Sequence, residues 1–354
     1  MNIQTPSRIC LFGEHQDYLG LPVIAMAVSL YSWVKGSKNR GKEVIINKPD
    51  INETECFSLD DISYTNERDY YKSGIKVCQD EGLQFSVGFD VEVTSEIPIQ
   101  AGCSSSSSIM VGWIQFLSQM ANEPINLRPD KIAELAYKAE VLEFSESGGM
   151  MDQYTTSLGG MLYLESEPKI TANSLNPIPG TFVLGDSMEK KDTQGTLHRC
   201  KNSRLEIINK MKNYKSEFSL NSIEMSEITH FAEALSDNDL AILQGTIKNR
   251  DILRQALVEL QSIDPHCPLI GRLLTKHHAI LRDVLKVSTS NIEAMLEAAL
   301  NAGALGGKIN GSGGGGCMFA YAPKNPEGVA EAIEKVGGKA HIVESTAGST
   351  LFRD

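Results

Sequence analysis

Residues 7–34 read SRICLFGEHQDYLGLPVIAMAVSLYSWV. Residues 7–12 form an apolar strand pattern, and residues 22–34 form a second, nearly unbroken one. Between them lies Gly13-Glu14-His15-Gln16-Asp17-Tyr18, a dense polar cluster. A chain that places two carboxylates and a histidine on one tight turn between buried strands is either closing a polar hairpin or presenting acceptors to a ligand. The turn reading is adequate for Gln16 and Tyr18, so the weight falls on Glu14, His15 and Asp17.

The 354 residues suit two domains better than one core. Hydrophobic residues make up 41% and charged residues 22%, in the range of soluble globular proteins. No apolar run is long enough for a membrane span, and MNIQTPSRIC has no signal-peptide pattern. With 33 basic and 45 acidic residues the net charge is −12, and there is no basic stripe of the kind nucleic-acid binders carry. Seven scattered cysteines without a CxxC pair read as reduced thiols of a cytoplasmic protein. The oligomeric state is not legible.

Further along, residues 43–47 and 84–95 look extended, and Pro98 breaks the pattern. A helix follows the serine run, a second amphipathic helix spans 129–146, and 161–166 is a strand. The Pro/Asn/Ser/Gly stretch from Asn173 to Gly180 is the expected loop and boundary, dividing the chain into 1–178 and 179–354. In the second half a strand at TFVLGDS precedes a mostly helical 199–302, then strands at 316–323 and 340–345 flank a helix at 326–336. Strands and helices without strict alternation indicate an α+β fold.

Three stretches carry candidate chemistry. IPIQAGCSSSSSIMVGW runs from an apolar strand through Gly102 and Ser104–Ser108 into a helix. A helix start has unsatisfied N–H groups and a partial positive charge, so it is a ready anion site; the alternative is a polar loop and a capped helix. GGKINGSGGGGCMFAYAP fails as a dinucleotide fingerprint, because its glycines lead into a strand. It fails as a Walker A loop because Ile309 follows Lys308. Close approach of backbone to a ligand explains it better than a linker between a helix and a strand. In AYKAEVLEFSESGGMMDQY, Asp152 lies among apolar neighbours and is either a turn residue or a proton acceptor, while Glu140 and Glu143 share a helix.

In this order, TPSRICLFGEHQDYLG, PIQAGCSSSSS and KINGSGGGGCMFA resemble the three motifs of the GHMP kinases, and together they span nearly the whole chain. The resemblance implies an N-terminal domain like ribosomal protein S5, a ferredoxin-like C-terminal domain and an active site between them. GEHQDY and GGMMDQYTTSLGG are most similar to galactokinase and related sugar 1-kinases. By that resemblance Arg8 and Asp152 are catalytic, and Glu14, His15 and Asp17 bind sugar hydroxyls. ATP lies on Gly102 and Ser104, Ser105, Ser106, Ser107 and Ser108, with Gly313 and Gly314. Mg²⁺ is held by Ser106 and by Glu140, or by Glu143 if the helix register differs by a turn.

Mevalonate kinases of the same family share GEH, follow it with apolar residues, and carry lysine at the position of Arg8. Asp17 and Arg8 therefore favour a sugar over mevalonate. Cys10, Gln100 and Cys103 depart from the usual galactokinase residues (asparagine, glycine and leucine), as does GDSMEKKDTQGTLHRC, so galactose itself is not implied. Rival readings are a mevalonate-type kinase and a non-catalytic sugar and ATP sensor.

Overall fold

The computed structural model describes every residue except 100, 191, 232–233 and 354, so Gln100 lies outside the described residues. The first half runs β1 (Asn2–Phe12), β2 (Val23–Lys38), β3 (Glu43–Lys48), β4 (Glu53–Ser58), α1 (Tyr70–Asp80) and β5 (Phe89–Ser95), followed by α2 (Ser105–Met120) and α3 (Pro129–Tyr137). It closes with α4 (Met151–Leu158), β6 (Met161–Glu165) and β7 (Thr171–Leu175). The second half runs β8 (Phe182–Asp186), α5 (Thr193–Tyr214), α6 (Asp237–Leu260), α7 (Cys267–Asp283), α8 (Ser290–Asn301) and β9 (Gly306–Ile309). It ends with β10 (Cys317–Tyr321), α9 (Pro326–Lys335), β11 (Lys339–Val343) and β12 (Thr350–Phe352).

Two sheets result. The first has the path β12-β1-β2-β5-β3-β4, with β6 paired to β2 and β7 to β6. The second has the order β11-β8-β10-β9, all neighbours antiparallel. That order, with helices after β8 and after β10, is the ferredoxin-like arrangement. The α+β class and the two-domain architecture expected from the sequence are the ones found. β12 pairs with Asn2–Gln4 of β1, so the end of the chain rejoins the first sheet across the expected boundary at 178/179.

One buried apolar group joins the two sheets, with Phe12, Ile24 and Met26 from the first, Phe182, Phe319 and Tyr321 from the second, and Leu253 and Leu274 from α6 and α7. A second packs α1 and α2 on the far end of the first sheet, around Trp113, Phe116 and Phe89. β1 has register shifts at Pro6/Ser7 and at Cys10/Phe12. Such irregularities re-aim side chains, and these two bracket Arg8.

Local expectations differ from the structure in four places. Of 84–95, only 89–95 is strand. The stretch 173–180 begins inside β7. The helix expected over 129–146 is α-helical to Tyr137, passes into a π-helical turn at Lys138–Leu142 and then ends. The glycine run joins two strands, β9 and β10, as a hairpin loop, rather than a helix and a strand. Among the described residues no helix is long and apolar enough to cross a membrane.

Candidate active site

A cleft of about 410 Å³ lies where β1, the start of α2, the π-helical turn, α4, the start of α5 and the glycine loop meet. At its floor Arg8 Nε and Nη2 donate to Asp152 Oδ1 and Oδ2 at 2.7 and 2.8 Å, and Nη1 donates to the Gly102 carbonyl at 2.7 Å. Burial opposes the guanidinium charge, but the Asp152 carboxylate and the charge of Glu14 raise Arg8 above its ordinary range. Asp152 sits in the first turn of α4, a helix the sequence did not disclose. Ser104 Oγ also donates to Asp152 Oδ2, at 2.5 Å.

The polar turn folds over one side of the cleft. Glu14 is 3% exposed and accepts from Lys308 Nζ at 2.7 Å; Lys308, fully buried on β9, also donates to the Cys10 carbonyl at 2.8 Å. His15 adopts a left-handed conformation (φ 63°). Its Nε2 lies 3.0 Å from the Ser312 carbonyl, an acceptor, so Nε2 carries the proton. Nδ1 then accepts from the Tyr18 hydroxyl at 2.9 Å, which in turn accepts from Arg204 Nη2. Arg204 Cζ also stands over the Tyr18 ring, 5.3 Å from its centroid.

Asp17 opens directly on the cleft. The main-chain N–H groups of Tyr18 and of Asp17 itself lie near enough to favour its charged form. Burial first, then the charges of Asp152 and Glu14, push its carboxyl up to about 6. A Cβ at residue 149 would come within 1.8 Å of Asp17 Oδ2, so Gly149 is the residue that admits this carboxylate.

Opposite lies the start of α2. The N–H of Ser108 is taken by the Ser104 carbonyl, while those of Ser105, Ser106 and Ser107 fall in the first helical turn, where an intrahelical acceptor is lacking. Ser104–Ser107 line the cleft with Gly102. Ser108 does not: its hydroxyl is buried against Thr5 and Ser32 under the first sheet. Gly313 and Gly314 do not reach the cleft either. Gly313 packs on Val287, and Gly314 donates its N–H to the Val287 carbonyl at 2.7 Å. The part of the run that lines the cleft is Gly311–Ser312. A Cβ at Gly311 would lie 2.7 Å from the Gly102 carbonyl oxygen, so the close approach is between two backbones, the glycine loop and the serine loop.

Glu140 and Glu143 separate on the π-helical turn. Glu140 is buried and accepts from Gln153 Nε2 at 2.7 Å, and the nearby Ser106 and Ser107 side chains favour its charged form. Burial pushes its carboxyl up to about 7 against those contacts. Glu143 faces away, bound by Lys76 at 2.7 Å and by the Tyr64 hydroxyl at 2.6 Å. Among the described residues no group of three or more His, Cys, Asp and Glu side chains forms a metal cage. The donor chemistry nevertheless fits Mg²⁺: Ser106 and Glu140 offer oxygen ligands at the cleft, and Gln153 Oε1 is buried without a partner.

Several residues that line the cleft or sit behind its walls are not marked by the sequence. Lys308, which enters the sequence reading only where the Walker A pattern fails, lies behind the polar turn as the buried partner of Glu14, and a lysine set between glycine and isoleucine is the signal that could have pointed to an internal ion pair. Nothing in the sequence marks Asn310, which accepts from the Cys10 N–H at 2.9 Å and donates to the Gly102 carbonyl at 2.9 Å. Nor does anything mark the apolar part of the cleft lining, which includes Ile51, Tyr70, Pro98, Ile99 and Ile109. Ile51 and Ile99 are exposed there, 43% and 59%.

The model of the GHMP kinase N-terminal domain matches residues 69–160, that of the C-terminal domain matches 257–340, and a galactokinase galactose-binding signature matches 2–38. The chain is 30% identical over 343 residues to a mevalonate kinase of Thermococcus sibiricus, covering 94% of this chain and 92% of that one. It is 26% identical over 336 residues to a galactokinase of Pyrococcus furiosus, covering 92% and 90%. In structure it is similar to Lactococcus lactis galactokinase complexed with galactose, with a TM-score of 0.88, 21% identity and coverage of 99% and 94%. Domain matches in both halves and a full-length relative at 30% identity lead to one conclusion: the chain belongs to the GHMP kinase family and is a phosphotransferase of that family.

Proposed function

We propose that this kinase transfers the γ-phosphoryl group of ATP to a monosaccharide, at its anomeric hydroxyl. The observation that carries the reading is Asp17, a desolvated carboxylate without a side-chain partner among the described residues. It faces the same cleft as the Arg8–Asp152 pair. A polyol offers hydroxyl donors to Asp17 and Glu14 together, whereas an extra anionic acceptor serves a mevalonate carboxylate poorly. The galactose-binding signature over 2–38 covers this same turn.

In this reading the triphosphate lies on Gly102 and the first turn of α2, where N–H groups and the helix dipole favour anions. The base lies against Ile51, Ile99, Ile109 and Tyr70. Ser106 and Glu140 would hold Mg²⁺, which when bound neutralises charge on the phosphates. The acceptor hydroxyl attacks in line and Asp152 takes its proton. Arg8 fixes that carboxylate and balances developing charge. Most of the acceleration comes from positioning and electrostatics.

The test is ADP release with D-galactose, L-arabinose, L-fucose, a uronic acid, an amino sugar and mevalonate as acceptors, with NMR assignment of the phosphorylated hydroxyl. Turnover of a sugar at C1 is expected. Turnover of mevalonate alone supports the second reading, a mevalonate-type kinase, which the Thermococcus relative favours. Binding of sugar and ATP without ADP release would leave a sensor.

A further inference from the structure

Ser104 holds the N-cap position of α2 in the left-handed region, at φ 60° and ψ 39°, where residues other than glycine are uncommon. A serine at this position ordinarily accepts a hydrogen bond from the helix start. Here the side chain makes no capping bond. Its hydroxyl points the other way and donates to Asp152 Oδ2 at 2.5 Å. An unfavourable backbone and an unused cap coincide at one residue, and that residue touches the carboxylate at the floor of the cleft.

The acceptor capacity of Asp152 can be counted. A carboxylate oxygen accepts about two hydrogen bonds. Oδ2 receives Arg8 Nη2 at 2.8 Å and Ser104 Oγ, so it is filled. Oδ1 receives Arg8 Nε at 2.7 Å and retains one site. Arg8 cannot swing to change this, because its Nη1 is held by the Gly102 carbonyl.

We propose that Ser104 is a positioning residue: by closing Oδ2 it locks the Asp152 carboxylate and leaves Oδ1 as the oxygen that takes the proton of the acceptor hydroxyl. The inference rests on the reading of Asp152 as the proton acceptor. In the step itself, the acceptor oxygen bonds to the γ-phosphorus as the bond to the β–γ bridging oxygen breaks. That electron pair leaves with ADP, and the hydroxyl proton moves to Oδ1. Ser104 keeps its own proton, donating to Oδ2 throughout.

Ser104→Gly is the decisive variant. It deletes the hydroxyl and supplies the residue the left-handed backbone favours, so the thermal midpoint is expected to stay level or rise. Ser104→Ala deletes the same hydroxyl with the strain kept. Kinetics are read by ADP release, with whichever of D-galactose, L-arabinose or mevalonate is turned over. Losing a hydrogen bond to a charged group predicts a fall in kcat of about 10- to 100-fold in both variants, with both KM values within about twofold. In the Asp152→Asn background, Ser104→Gly is expected to cost nothing further, because the two act as a unit.

Unchanged kcat in Ser104→Gly, in a protein that Asp152→Asn slows, overturns the inference and leaves the role of Asp152 intact. So does a rise in ATP KM at constant kcat, which would make Ser104 a phosphate ligand. Normal turnover in Asp152→Asn overturns the reading of Asp152, and the inference with it.

Discussion

The guanidinium of Arg8 and the carboxylate of Asp152, 144 residues apart in the chain, meet fork to fork at 2.7 and 2.8 Å. The third arm of the same guanidinium holds the Gly102 carbonyl at 2.7 Å. One side chain thus sets the distance between the carboxylate and the loop that leads into α2. Lysine has neither the planar fork nor three fixed donors. Arg8→Lys is expected to lower kcat about 100-fold or more, in line with losing a preorganised electrostatic contact, while the acceptor KM changes little. Steady-state kinetics with each substrate varied decide this.

Asp152→Asn keeps the shape of the side chain and removes the proton acceptor. Loss of a general base lowers turnover by about 10²–10⁴. Acceptor binding, followed by calorimetry in the presence of a non-hydrolysable ATP analogue, is expected to persist. A kcat near that of the parent enzyme would refute the assignment.

Asp17 gives two readouts. Asp17→Ala is expected to raise the acceptor KM far more than the ATP KM, since an unpaired substrate hydroxyl costs about 1–3 kcal/mol. The second readout is stability. Burial and the neighbouring carboxylates hold Asp17 at about 6 in the folded protein, above its ordinary 3.8. The folded state therefore binds the extra proton between those values, and its stability falls as pH rises through that window. Asp17→Asn relieves the penalty. Its thermal midpoint is expected to exceed the parent's at pH 7–8 and to match it near pH 4.

Glu140→Gln is expected to raise the Mg²⁺ concentration needed for half-maximal ADP release, and Glu143→Gln to leave it unchanged. The two residues are three positions apart, yet one accepts from Gln153 at the cleft and the other from Lys76. Chelation with EDTA is expected to stop turnover, and added Mg²⁺ to restore it.

Lys308→Met leaves Glu14 buried without its cation. Breaking one side of a buried pair costs about 3–5 kcal/mol, measured by denaturant unfolding. Adding Glu14→Gln should recover much of the loss, as expected for residues in direct contact.

Residue type and order were enough to nominate Arg8, Glu14, Asp17, Glu140 and Asp152, and all five meet at one cleft. The motifs sit on strand ends and loops that the sheets must bring together, so their chemistry is local and legible. Partners were not legible, because they come from the other half of the molecule. Lys308 reads as part of the glycine run until β9 carries its ammonium to the Cys10 carbonyl and to Glu14. The choice between Glu140 and Glu143 depends on a π-helical turn, which changes helical phase without a sequence signal. Serine in a run looks uniform, yet Ser108 is one residue too deep and turns under the sheet. The strand β12 is three residues long, too short to show a period.

The seam between the glycine and serine loops has a mechanical meaning. Gly311 stacks on Gly102, Cys317 donates its N–H to the Ala101 carbonyl at 2.7 Å, and Asn310 ties both loops to β1. Side chains can slide past one another, but backbones in contact cannot part without breaking these bonds together. The seam therefore works as a clamp: together with the core shared by the two sheets and β12 laid on β1, it holds the two loops, and the floor of the cleft beside them, at one fixed spacing.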